Sequence, residues 1–163
     1  MGAFTHEAAA VDPVHGHIYL TEDLPDSNLY RFVPDHYPES GRPQLESGRL
    51  QAAIVNGDNP FSSRSISWAT VTYPVPQLSI KPDGSAQLPT RKQVTNAEKF
   101  NGGEGCWFHN GIVYFQQKAI TGFGQWIQIE TLSMLFTIKN LKMHLILELM
   151  MSTTLPYLRV VKY

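Results

Sequence analysis

Four carboxylates stand where they could do chemistry. Glu7 precedes the short apolar strand-like Ala8–Val11, the glycine-flanked Glu104 runs into an aromatic strand-like segment, and Glu22-Asp23 follow the strand-like IYLT. A carboxylate at a strand start either bonds nearby backbone amides or offers oxygen to a hard cation, and the residues alone leave both roles open for Glu7 and Glu104. Glu22 and Asp23, inside EDLPDS, read by default as a solvated turn. Other candidates have plainer readings. His6 could orient Glu7, but it also reads as an ordinary surface or core histidine, and His15, His17 and His109 lie at turns. Arg31 could contact phosphate or be a strand-edge charge. Asn56-Gly57-Asp58-Asn59 lacks the spacing and terminal glutamate of an EF-hand.

The elements that would position these acids are short strands. Ala8–Val11 is followed by the Asp12-Pro13-Val14-His15-Gly16 turn. His17–Thr21 then alternates around Ile18 and Leu20, and Asn28–Val33 is rich in aromatics. Downstream, Leu45–Val55 holds one strand with Leu50, Ala52 and Ile54 on one face. The prolines after Trp68 confine that segment to an edge or an extended connection. Pro82-Asp83-Gly84 is a turn, and Asn96–Phe100 reads as a short helical turn. Gly102–Gln116 is a hairpin about Asn110-Gly111. Glu7 and Glu104 lie 97 positions apart, and beyond a Gly turn in each copy (Gly16, Gly111) Ile18-Tyr19-Leu20 matches Val113-Tyr114-Phe115 at a spacing of 95. Such a repeat suits the antiparallel blades of a β-propeller, with any antiparallel meander as the alternative. The predicted fold class is therefore all-β, a partial β-propeller. Trp107, Phe108, Tyr114 and Phe115 are expected between blades.

Composition bounds the partners. The 163 residues carry 13 basic and 14 acidic side chains, a net charge of −1, which gives no electrostatic case for nucleic acid or an anionic membrane. The single cysteine, Cys106, has no internal partner for a disulfide. No uncharged apolar run reaches the ~18 residues of a membrane span. The first residues have neither the basic nor the apolar region of a signal peptide, and the abrupt opening reads as a chain entered in mid-domain. From Ala119 the character changes to long Leu and Ile runs without acidic turns. Codons permitted for this tail, read one base out of register, supply GDNRVWAVDT where the first copy has DSNLYRFV. The expectation is a frameshift near Lys118, a propeller portion over 1–118, and an out-of-frame, irregular or helical tail over 119–163.

The two motifs together, HEA-x-VDP…G-x-IYLTED and GEG-x-W…G-x-VYF, resemble the bacterial PhoX-type alkaline phosphatases, a group once filed as a domain of unknown function. The resemblance covers residues 2–118, strongly over 2–34 and 100–118 and weakly between. It implies a secreted or periplasmic β-propeller of several hundred residues that hydrolyses phosphate monoesters with a calcium and iron cluster at the channel mouth. It also implies that Glu7 and Glu104 are metal ligands and that Asp23, with Glu22 beside it, lies nearby. Cys106 does not fall at the family's cysteine ligand position. A fragment lacking the other blades is expected to be inactive. Two alternatives stand beside this reading: a calcium-dependent propeller hydrolase of the gluconolactonase type, and a non-catalytic propeller scaffold.

Overall fold

The computed structural model describes residues 1–37, 41–57, 65–118 and 125–130. It is built of antiparallel strands. β1 (His6–Val11), β2 (Ile18–Glu22), β3 (Leu29–Pro34), β4 (Gly48–Asn56) and β5 (Ser65–Thr70) form one meander in sequence order. β6 (Gly103–His109), β7 (Ile112–Gln117) and β8 (Gln125–Glu130) form a second. The first sheet has one strand more than the four of a typical blade. Of the tail expected to be irregular or helical, Gln125–Glu130 instead form β8, which pairs along its whole length with β7. The rest of 119–163 lies outside the described residues.

The turns follow from their residues. Asp12 Oδ1 accepts the backbone N–H groups of Val14 (2.9 Å) and His15 (3.3 Å), and Gly16 closes the reversal at φ 69°. Asn110 (φ 48°) and Gly111 (φ 75°) both adopt positive φ, as a two-residue hairpin between right-twisted strands demands. The helical turn expected over Asn96–Phe100 is absent. A 3₁₀ turn occupies Thr90–Lys92, and Phe100 instead makes an antiparallel bridge with Ser27. Two hydrogen bonds run between their backbones, so the extended pairing replaces the local helical one.

Strand alternation gives the first sheet two buried faces. On one, Tyr19, Leu29, Ala53 and Ile66 pack with Phe100, Val113 and Phe115, which joins the two sheets. On the other, Ile18, Leu20, Tyr30, Phe32, Leu50 and Ala52 are covered by Val71, Val94 and Ala97 and, at the margin, by Phe4. Hence β2 is buried at every position. Each fully buried Leu or Phe side chain contributes about 1.5–3 kcal/mol. The segment after β5 is therefore a cover over one sheet face. Phe108 and Phe115 join the core between the sheets as expected, but Trp107 does not. It is paired with Tyr114 on the opposite face of β6–β7 and is 51% exposed. Arg31 is not a strand-edge charge either: its Nε and Nη2 donate to Gln51 Oε1 (3.1 and 2.7 Å), and its guanidinium lies 4.5 Å from the centre of the Trp68 ring.

Candidate functional site

The acid-bearing segments are one backbone device used twice. β1 pairs with β2 as His6↔Glu22 and then Ala9↔Leu20, so a bulge falls at Glu7-Ala8. β6 pairs with β7 as Gly103↔Gln117 and then Cys106↔Phe115, so the same bulge falls at Glu104-Gly105. A bulge re-aims the side chain it carries. Both acids thus sit at strand irregularities, which periodicity alone does not reveal.

The two bulges are tied to each other. The Thr21 hydroxyl accepts the Ala8 backbone N–H (3.0 Å) and donates to the Glu104 carbonyl (2.7 Å). Gly103 allows the approach, because a Cβ there would lie 2.9 Å from Thr21 Cβ and 3.1 Å from the Glu22 backbone. Asp23 and Glu104 are then close enough to share one cation. Lys118 Nζ lies 2.5 Å from Asp23 Oδ1 and 3.2 Å from Glu104 Oε1, and both carboxylates raise the ammonium's pKa, Asp23 the more. Glu7 is exposed at its own bulge, with no hydrogen bond or ion pair to a described residue. The structure therefore joins the Asp23 and Glu104 carboxylates through Lys118 and ties the Glu7-Ala8 bulge to the Glu104 backbone through Thr21, while the Glu7 side chain itself makes no such contact with a described residue.

Carboxylate oxygens that already accommodate an ammonium are the right kind of donor for a hard cation such as calcium or ferric iron. In kind, Asp23 and Glu104 fit. In number they fall short, since no group of three or more His, Cys, Asp or Glu side chains poised for a metal occurs among the described residues.

Glu22 is a correction to the solvated-turn reading. It is the last residue of β2 and wholly buried. Its Oε2 accepts the Asn28 backbone N–H (3.2 Å) and the Tyr30 hydroxyl (3.1 Å), while burial raises its pKa. Arg91 Nη1 stands 3.9 Å from its Oε1. Among the histidines, His6 stacks on Phe4 and its Nε2 lies 3.1 Å from the Gly2 carbonyl, so nothing ties it to Glu7. His15 Nδ1 lies 2.7 Å from the buried Asp12 carboxylate, at the turn end of the hairpin. Burial, with Arg31 second, lowers the His17 pKa to about 4. Cys106 lies within the core between the sheets, and burial pushes its thiol up to about 12, far from the reactive range.

A model of one protein family, Alkaline phosphatase PhoX, matches residues 1–129. Neither a curated protein nor a solved structure matches the chain. The match takes in both bulged hairpins, the acids they carry and the first part of β8. With the two motifs falling on two copies of one bulged hairpin, and the family model spanning most of the sequence, the chain belongs to the PhoX alkaline phosphatase family.

Proposed function

We propose that this chain is a portion of a metal-dependent phosphomonoesterase of β-propeller form, in which the two sheets are neighbouring blades and Asp23 and Glu104 supply oxygen ligands to calcium or iron. The observation that carries this reading is the Lys118 ammonium shared by two carboxylates from different sheets. It marks a position where negative charge from two blades is concentrated on one small cation. Bound there, a calcium or ferric ion would polarise phosphoryl oxygens and hold the attacking oxygen.

The protein's own contribution is positional. Thr21 fixes the Glu104 carbonyl to the first hairpin. The Asp23 backbone N–H donates to the Thr5 carbonyl (3.0 Å), which fixes the residue after β2. Glu7, at the matching bulge, is the third acid for a ligand shell that further blades complete. On this reading the 163-residue chain by itself hydrolyses no phosphate monoester, because two close carboxylates cannot fill the six to eight oxygen positions that calcium takes.

Calorimetric titration with calcium of the intact chain, Glu104→Gln and Asp23→Asn tests the ligand assignment. Weak calcium binding by the wild type, reduced at least tenfold in either variant, is the expected result. Equal heats in all three would remove Asp23 and Glu104 from the metal site.

A further inference from the structure

On the face of the first sheet turned away from β6–β8 there is a cleft of about 510 Å³. Its walls come from residues 3–5, from the end of β2, and from segments 76–77 and 86–91. At that volume it falls within the range of small-molecule sites. The cleft is lined by Glu22, whose carboxylate is entirely buried and has one oxygen, Oε1, with no hydrogen-bond partner among the described residues. A buried acceptor left unmet is costly, and more so when charged. Oε2 is fully engaged by Asn28 and Tyr30, so the carboxylate is held rigidly with its other oxygen spare.

Arg91 limits what that oxygen can take. Its Nη1 is 3.9 Å from Oε1, beyond hydrogen-bond distance, and its Nε donates to Asp26 (3.1 Å). Positive and negative charge side by side favour neither a free cation nor a free anion. Oε1 is covered in this state, so a ligand reaches it only as the partly exposed Arg91 side chain beside it shifts, and the group that then bridges the two donates on one side and accepts on the other, which is the chemistry of a hydroxyl. Around this polar pair stand Phe4, Pro76 and Pro89, and the amides of Gln77 and Gln87. Apolar faces with a few convergent hydrogen-bonding groups suit a ring that carries C–H faces and hydroxyl edges.

We propose that this cleft binds a small neutral polyhydroxylated molecule, a monosaccharide or cyclic polyol, with one of its hydroxyls donating to Glu22 Oε1 and accepting from Arg91. The site is separate from the Asp23–Glu104 pair. Glu22 and Asp23 are consecutive, and their carboxylates serve opposite faces of the sheet. Binding here does not depend on metal or on phosphatase activity.

Saturation-transfer NMR on the intact chain, with glucose and with myo-inositol as probes, tests it. Methylammonium and acetate serve as charged comparators. Transfer to at least one polyol is expected. It should weaken at least tenfold in Glu22→Gln, which keeps the side-chain volume but places a donor or a neutral oxygen beside Arg91. Ala86→Trp, at an exposed wall position outside both sheets, should block the cleft and abolish transfer even if Glu22→Gln is poorly folded. No transfer to either polyol, preferential binding of methylammonium or acetate, or undiminished transfer in Ala86→Trp would each overturn the proposal.

Discussion

The hairpins β1–β2 and β6–β7 have the same bulge, the same pairing beyond it and an acid at the same place, yet they present different chemistry. At the bulge Glu7 answers to Glu104. One strand over, the buried Glu22 answers to Gln117 and Asp23 to Lys118, so the acid of one copy pairs with the cation of the other. The first hairpin lies in a five-stranded sheet with both faces covered. The second contributes Cys106, Phe108, Val113 and Phe115 to the contact with the first and turns Trp107 outward. A repeated backbone fixes where an acid stands. Whether it is solvated, buried or ion-paired is set by what packs around each copy.

The comparison is broken most severely from the core. Leu20 and Phe115 occupy matching positions and are each 1% exposed. Phe115→Ala should cost about 3–5 kcal/mol and Leu20→Ala about 2–5 kcal/mol by urea denaturation. Phe115→Ala should also loosen the second hairpin from the first, whereas Leu20→Ala leaves that contact in place because Leu20 faces the other way. Gly103 and Gly105 give a finer contrast. Gly103→Ala drives a Cβ against Thr21 and the Glu22 backbone and should cost about 1–3 kcal/mol. Gly105→Ala meets nothing within 4 Å and should change stability by less than about 0.5 kcal/mol. Thr21→Val removes the hydroxyl that ties the bulges and should cost about 1–3 kcal/mol, with faster amide exchange at Ala8 as its signature.

The smallest effect is one of pH. Burial, opposed by the hydrogen bonds from Asn28 and Tyr30 and by nearby Arg91, and reinforced by Asp26, raises the folded-state pKa of Glu22 above its ordinary 4.5. The folded chain then binds more protons than the unfolded one between those two values. This contribution to stability is complete below pH 4.5 and is lost as pH rises through the raised folded value. His17 works in the opposite direction: with its folded value near 4 against 6.5, it contributes stability above pH 6.5 that is lost as pH falls through 4. Thermal melts across this range should therefore show a steeper gain in stability with pH in Glu22→Gln than in the wild type. His17→Gln should flatten the acid side.

Much of the scaffold was legible. The alternation in IYLT, the Asp-Pro and Asn-Gly turns and the alignment of Ile18-Tyr19-Leu20 with Val113-Tyr114-Phe115 are local signals, and the pairing follows them residue by residue. What was not legible depends on distant segments. Glu22 reads as a loop acid until Tyr30 and Arg91 close over it, and Arg91 is 69 positions away in sequence. Lys118 could not be assigned to Asp23 without the stacking of the two sheets, and Trp107 needed the register of β6 to place it outside the core. Asn96–Phe100 carried a helical signal that the backbone bridge to Ser27 overrides.

The central claim, that the position now held by Lys118 Nζ is a cation site shared by the two copies, is tested most directly by calcium calorimetry on Lys118→Met beside the wild type. Removing the resident ammonium while keeping the side-chain length should tighten calcium binding about tenfold, the value of one close charge in a partly solvated setting. Calcium affinity that is unchanged or weaker in Lys118→Met would contradict the account and leave Asp23 and Glu104 as partners of a structural salt bridge alone.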